Sequence, residues 1–326
     1  MTQLITLTNE SGMQLKLMTT GAALLSLTVP VGDEQREVLL GCKPEDYLRQ
    51  QVYLNAMVGR FANRIANSVI HYQGETYHLV ASQGENCLHG GKDGFDRREW
   101  SIVSLQQDKV TLSLHSADGD QGFPGECDVT LTYALENNDV LIDIQATVSK
   151  ACPVNLTCHG YFNLDGKRGD VREHDLMVNA SRYLPIDAMG IPLSSAPQPV
   201  EAALDLRQSR CLKEQWLSHP QLVTAKGFDH CYLLDSDAQE AAARLTSADA
   251  RLTMEVFTNQ PGIQIYTGNY LDGAPSRDGT LYQDYEGICL EAQLLPDSPG
   301  RPELGDPWLL PGNTYHHQTR YRFIAA

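Results

Sequence analysis

Polar and apolar residues alternate with a period of two along much of this chain. The run Val140-Leu141-Ile142-Asp143-Ile144-Gln145-Ala146-Thr147-Val148 alternates cleanly after Leu141, and Leu252 to Thr258 and Val110 to His115 do the same. That period predicts strands with one buried face. Gln14 to Met18, Tyr72 to Leu79, Glu99 to Leu105 and Tyr315 to Phe323 also read as strands. Turn signals separate them: Gln73-Gly74-Glu75, Ala117 to Asp120, Glu136 to Asp139 and Leu271-Asp272-Gly273. The first of these, between two apolar alternations, predicts a hairpin. Helical patterning is rare. Pro44 to Gln51 and Cys211 to Leu217 are each expected to form two turns at most.

Short strands and turns in this rhythm predict an all-β protein, a large antiparallel β-sandwich with few short helices. No repeat of fixed period and no low-complexity tract interrupts it. Ile191 to Val200 holds three prolines and two serines and fits a long surface loop or a linker. Strands of similar character lie on both sides, so residues 1–326 are expected to form one domain. That is long for a single unit, but large sandwiches reach this size.

Charge then narrows the function. Lys plus Arg is 25 against 41 for Asp plus Glu, a net charge of −16. This speaks against a nucleic-acid groove or an anionic membrane surface as partner, since both need clustered positive charge. No apolar run approaches the ~18 residues of a membrane span. Met1 to Lys16 lacks the basic start and apolar stretch of a secretory signal. The eight cysteines are scattered without a Cys-x-x-Cys pair. They read as free thiols of a reducing compartment, and a cytoplasmic location is expected.

The candidate chemistry lies where the alternation breaks. His89 precedes Gly90-Gly91, and His159 interrupts a strand-like run. Glu291 follows the apolar Gly287-Ile288-Cys289-Leu290, where a carboxylate must be paired, hydrogen-bonded or functional. Taken singly, a turn histidine, a core histidine and a structural salt bridge explain these three as well. His89, His159, Asp229 and Glu291 are all metal-ligand types, yet none falls in a local ligand motif. No metal is therefore expected. Gly90-Gly91-Lys92 lacks the ending of a phosphate loop, and no Gly-x-Ser-x-Gly elbow is present. Cys158 and His159 are neighbours on a strand and point to opposite faces, which suits proton transfer poorly.

Six blocks, in this order, resemble the aldose 1-epimerase (galactose mutarotase) family. They are Gly59 to Asn67, Leu88 to Asp96, Asn155 to Leu164, Gly227 to His230, Gln260 to Leu271 and Leu290 to Pro299. The resemblance spans about Leu4 to Phe323. It implies a galactose mutarotase-like supersandwich with an open cleft. It also implies an isomerase that interconverts the α and β anomers of free aldohexoses such as D-galactose and D-glucose, within hexose metabolism, without a cofactor. By the same resemblance Glu291 aligns with the general base and His159 with the general acid. His89 matches a supporting active-site histidine on the ring-oxygen side. Asn63, Arg64, Asp229 and Gln264 match sugar-binding positions. Cys158 and Gly160 depart from the family's usual residues at positions flanking His159. A monomer or a homodimer fits equally.

The chemistry is consistent with such a site. Anomer exchange needs one base at the C1 hydroxyl and one acid at the ring oxygen, and a carboxylate and an imidazole suit both jobs. Negative neighbours, Glu291 and Asp229 among them, are expected to hold His159 cationic. Tyr161, Phe162 and Trp100 are candidates to stack on the sugar or to pack in the core. Three rivals remain. A phosphorylated-sugar epimerase would use Arg60 with Arg64, or Lys92 with Arg97 and Arg98. A non-catalytic sugar-binding module would not need both Glu291 and His159. A glycoside hydrolase would pair Asp229 with Glu291.

Overall fold

A computed structural model describes residues 2–193 and 196–326. Five of the period-two segments, all but Gln14 to Met18 and Tyr72 to Leu79, become strands of a nine-stranded antiparallel sheet. Its order is Ser101–Leu105, Lys109–Ser116, Cys127–Glu136, Asp139–Val148, Tyr315–Ala325, Leu252–Thr258, Ala243–Thr246, Asp175–Val178 and Arg210–Cys211. Along Asp139–Val148 the apolar positions Val140, Ile142, Ile144, Ala146 and Val148 are buried, while Asp143 and Gln145 on the other face are not. Each fully buried Ile, Leu or Val side chain contributes about 1.5–3 kcal/mol, so a slip by one residue is strongly disfavoured. The hairpin expected at Gln73-Gly74 forms between Val69–Tyr72 and Glu75–His78. A four-stranded sheet covers residues 4–37.

The helical expectations fare unevenly. Pro44–Arg49 is a short 3-10 helix, as expected in place if not in type. Cys211 to Leu217 is not helical: it is a run of turns in which Gln215 and Leu217 take positive φ angles of 55°, a conformation that breaks a right-handed helix. The α-helix among the described residues is instead Pro220–Ala225. Pro220 opens it, and the His219 side chain caps it by accepting from Gln221 N. Six residues are too few to show a helical period. Of the expected loop Ile191 to Val200, Ser194 and Ser195 lie outside the described residues, and Gln198–Pro199 forms a short edge strand.

A six-stranded sheet positions the site: Tyr161–Phe162, Ile288–Gln293, Gly262–Tyr266, Asp229–Leu233, Arg182–Tyr183 and Gln198–Pro199. Ile288–Gln293 is buried at every position. Its two faces have different neighbours. Ile288 and Leu290, with Ile263 and Ile265 of the next strand, join the main core alongside Tyr321 and Phe323 of the nine-stranded sheet. Glu291, Cys289 and Gln264 therefore point to the opposite face. That core cluster draws side chains from Ile5 to Phe323.

Candidate active site

Strand register builds the floor of the site. Glu291 is paired with Gln264, and Gln264 with Cys231; one step along, Cys289 is paired with Tyr266, and Tyr266 with Asp229. Residues directly opposite share a face, so Glu291, Gln264, Tyr266 and Asp229 rise together from one surface. Gln264 Nε2 donates to Asp229 Oδ1 at 2.7 Å. Asp229 Oδ2 lies 3.5 Å from the Arg64 guanidinium, and Arg64 Nε donates to Gln83 Oε1 at 2.8 Å. Gln264, Asp229, Arg64 and Gln83 thus form a continuous polar chain.

The walls come from strained loops. Arg64–Ile65 pairs with Cys87–Leu88, which sets Asn63 beside His89. His89 N donates to Asn63 O and Asn63 N donates to His89 Nδ1, both at 3.1 Å. Asn63 and His89 have positive φ angles of 67° and 51°, and Tyr53 and Asn55 above them have 56° and 57°. Such angles cost non-glycine residues about 1–3 kcal/mol each and cluster where side chains must be aimed. Glycine follows His89 because the chains nearly touch: a Cβ on Gly90 would lie 2.0 Å from Gly59 O. His159 is held through its backbone, with its N–H donating to Ala56 O at 2.8 Å and its carbonyl accepting from Asn55 N at 3.1 Å.

These pieces enclose a cavity of about 210 Å³. All seven residues singled out in the sequence line it: Asn63, Arg64, His89, His159, Asp229, Gln264 and Glu291. Glu291 Oε1 is 3.7 Å from His159 Nε2, and the two side chains are only 3% and 6% exposed. Two acceptor oxygens in the lining, Glu291 Oε2 and Gln264 Oε1, are buried with no partner among the described residues. Aromatic rings close the space. His159 lies 5.2 Å from His89, 5.1 Å from Tyr161 and 6.2 Å from Tyr266, and Tyr53 packs edge-on to His89 at 4.5 Å.

Burial controls the charges. It pushes the His159 pKa down to about 4, opposed by a hydrogen bond from the ring to its own backbone and then by Asp229, with Arg64 adding to the shift. It pushes Glu291 well above the ordinary carboxylate range, and Asp229 adds to that. His89 is held well below its usual value by burial, with His159 and Arg64 contributing. The expectation of a cationic His159 is therefore corrected. Desolvation outweighs the attraction of Asp229, so the free site favours a neutral imidazole and shifts the carboxyl beside it toward its protonated form. His89 Nδ1 accepts an amide proton, so its neutral ring carries its proton on Nε2, the nitrogen free to donate.

The comparisons with known proteins agree with one another. The family model for aldose 1-epimerase matches residues 3–322. The chain is 46% identical to the aldose 1-epimerase of Escherichia coli K12 over 330 residues, covering 99% of this chain and 95% of that protein. The chain belongs to the aldose 1-epimerase family. It is also 38% identical to human galactose mutarotase over 294 residues, covering 89% of this chain and 84% of that one. Among solved structures, a galactose 1-epimerase from Lactobacillus acidophilus superposes with a TM-score of 0.88 at 27% identity, covering 100% of this chain and 99% of that one. An aldose epimerase homologue from C. elegans superposes at 0.93 with the same identity, covering both chains fully.

The departures from the family pattern have local explanations. Cys158 is 4% exposed and packs into the main core, on the face opposite His159. At Gly160 a Cβ would lie 3.1 Å from the Phe162 ring, which fills the space a larger side chain would take. Phe162 itself packs on Tyr321 at 5.0 Å, and Trp100 is buried with Nε1 donating to Phe95 O, so neither lines the cavity; Tyr161 does. Sequence reasoning missed Tyr53, Gln83, Tyr266 and Tyr270, which also line it. Tyr266 and Tyr270 both lie between Gln260 and Leu271, and the spacing of two between Gln264 and Tyr266 on a strand was the signal available.

Two of the arginines named for a phosphate pocket, Arg60 and Arg98, are engaged elsewhere. Arg60 is 2% exposed and donates to Pro124 O, Gly125 O, Ser116 O, Ser116 Oγ and Ala117 O. Arg98 is bound to Asp93 and Asp120. Lys92 and Arg97 line a neighbouring depression that shares Tyr53 and Gln83 with the cavity. His89, His159 and Glu291 could also hold a metal, since each offers a ligand atom within 4.8 Å of the others. Zinc at ~2.0–2.1 Å from each ligand would draw the atoms to roughly 3.4 Å apart. The His159–Glu291 pair is wider than that, at 3.7 Å.

Proposed function

We propose that this protein catalyses interconversion of the α and β anomers of free aldohexoses, D-galactose and D-glucose among them, with Glu291 as general base and His159 as general acid. The observation that carries the reading is the buried carboxyl–imidazole pair, 3.7 Å apart at the floor of a cavity whose acceptors lack donors. A polyhydroxylated ligand supplies those donors. Membership of the family supports the same reaction.

The proton that the pair holds in common first passes from the Glu291 carboxyl to His159 Nε2; the Glu291 carboxylate then takes the proton of the C1 hydroxyl while His159 Nε2 gives one to the ring oxygen. The C1–O5 bond breaks and a C1 aldehyde forms. Rotation about C1–C2 turns the other carbonyl face toward O5. In reclosure His159 takes the proton back from O5 as it attacks C1, and Glu291 returns its proton to the new C1 hydroxyl. Each group ends as it began. Asp229, Arg64, Gln264 and Asn63 bind sugar hydroxyls, where charge-assisted hydrogen bonds are the stronger kind. His89 donates from Nε2 on the ring-oxygen side. The whole chain acts as one catalytic unit. Its eight free cysteines, seven of them buried, suit a reducing cytoplasm. No helix among the described residues is long and apolar enough to cross a membrane.

Polarimetry of freshly dissolved α-D-galactose and α-D-glucose tests this. Catalysed decay of rotation is expected for both. Folded protein that accelerates neither would end the proposal. A strong preference for glucose 6-phosphate over glucose would favour the phosphorylated-sugar reading instead.

A further inference from the structure

Behind the proposed acid stands a thiol that no step above uses. Cys289 is fully buried, and its Sγ lies 3.5 Å from His159 Nδ1 while Nε2 of the same ring faces Glu291. Cys289 and Glu291 are two residues apart on one strand, so both point to the same face. One strand thus addresses both nitrogens of a single imidazole. The rings around His159, those of Tyr53, His89, Tyr161 and Tyr266, pack against it as edges and faces.

The proton cycle sets a condition on Nδ1. For Nε2 to give and retake a proton, Nδ1 must keep its own proton in both the neutral and the cationic ring. Which nitrogen of a neutral histidine carries the proton is set by the hydrogen bond the other makes. An acceptor at Nδ1 is therefore required. A carboxylate there would fix the cation and make the ring a poorer acid. Sulfur is a weak acceptor. It holds the Nδ1 proton in place and leaves the cation little stabilised.

We infer that Cys289 is a positioning residue whose sulfur accepts the Nδ1–H of His159, so that Nε2 is the nitrogen that exchanges protons with the sugar. The inference rests on the acid role proposed for His159. Burial supports it separately, because it holds the Cys289 thiol well above its ordinary pKa and keeps it uncharged beside the ring.

Cys289→Ala removes the acceptor, and Cys289→Ser supplies an oxygen in its place. With selectively ¹⁵N-labelled histidine, wild type and Cys289→Ser should show His159 protonated at Nδ1, and Cys289→Ala should shift toward the Nε2-protonated form. His159 is assigned by its missing signals in His159→Gln. Cys289→Ala should lose about tenfold in kcat at unchanged KM, a one-unit cost on the tautomer equilibrium. Cys289→Ser should recover most of that loss. An unshifted tautomer and wild-type kcat in Cys289→Ala would overturn the inference, and so would a Cys289→Ser enzyme as slow as Cys289→Ala. If His159→Gln itself keeps wild-type kcat, the acid assignment fails. If His159→Gln is inactive and Cys289→Ala is not impaired, only the role of the thiol fails.

Discussion

Replacing Glu291 with Gln removes a proton acceptor and almost nothing else. The residue is 2% exposed in the middle of a fully buried strand, opposite Gln264, and an amide fills the same volume. A positioned general base contributes about 10²–10⁴-fold, so kcat should fall by that factor, or about 2.7–5.4 kcal/mol at 1.36 kcal/mol per decade. Stability should move the other way. Burial raises the folded pKa of Glu291 above its unfolded value of ~4.3. A raised pKa gives stability that is full below the unfolded value and lost as pH rises through the folded value. Gln has no such loss. Glu291→Gln should therefore melt at or above the wild-type temperature at pH 7.5, with the difference closing toward pH 4.5. Polarimetry gives the rate and thermal melts at several pH values give the stability. A loss of less than tenfold would refute the base assignment. A variant that melts lower than wild type at pH 7.5 would refute the reasoning about burial.

Burial depresses His159, His230 and His317 to about 4 each, so the stability their neutral forms confer is complete above ~6.5 and lost as pH falls toward 4. Each is worth about 3 kcal/mol, and urea unfolding should show a steep decline between pH 6.5 and 4; a midpoint that stays flat to pH 5 would contradict this. Asp229→Asn should raise KM about tenfold or more with a smaller effect on kcat, since it removes the negative charge that faces Arg64 and would bind sugar hydroxyls while leaving an oxygen to accept from Gln264; steady-state kinetics that show only a kcat loss would make Asp229 catalytic instead. Arg60→Leu should lower stability by about 3 kcal/mol or more, because five oxygen acceptors lose a charged donor, while KM for free aldoses stays put; a selective loss of activity on a phosphorylated sugar would revive the phosphate reading. In brief assays, kcat/KM should hold a broad plateau through neutral pH, its acid limb near the His159 value of about 4; a limb near 6.5 would restore the cationic histidine.

Much of this was legible in the chain because a strand's period is short and strict. Val140 to Val148 declares its buried face without any help from the fold. Glu291 was visible for the opposite reason, as a charge in a segment too apolar to tolerate one. Cys211 to Leu217 misled because its composition permits a helix, and only the left-handed Gln215 and Leu217 exclude it. The protonation of His159 was misread because sequence shows which charges exist but not how much water surrounds them. Desolvation is set by Tyr53, Tyr161 and Tyr266 closing over the ring, and those contacts come from three separate segments. Gln83 and Cys289 were out of reach for a related reason. Nothing near Gln83 in sequence announces Arg64, and a thiol in an apolar run reads as core.

A site that disfavours both charges suits this reaction better than a fixed pair of opposite charges would. A buried carboxylate facing a buried imidazolium would attract strongly, and pulling a proton from either would cost the energy of that attraction. Burial that opposes both charges brings the two forms, carboxyl with imidazole and carboxylate with imidazolium, closer in energy. They differ only by one proton moved across 3.7 Å, so changing pH does not select between them. A sugar seated between the two groups can then drive the exchange in either direction. Mutarotation demands that symmetry, because ring opening and reclosure use the same two groups in reverse and the α and β anomers must both be accepted. An enzyme with a permanently cationic acid would open rings readily and recover its proton slowly. Holding one proton in common, with no net charge in the cavity, lets the same site serve both halves of the cycle.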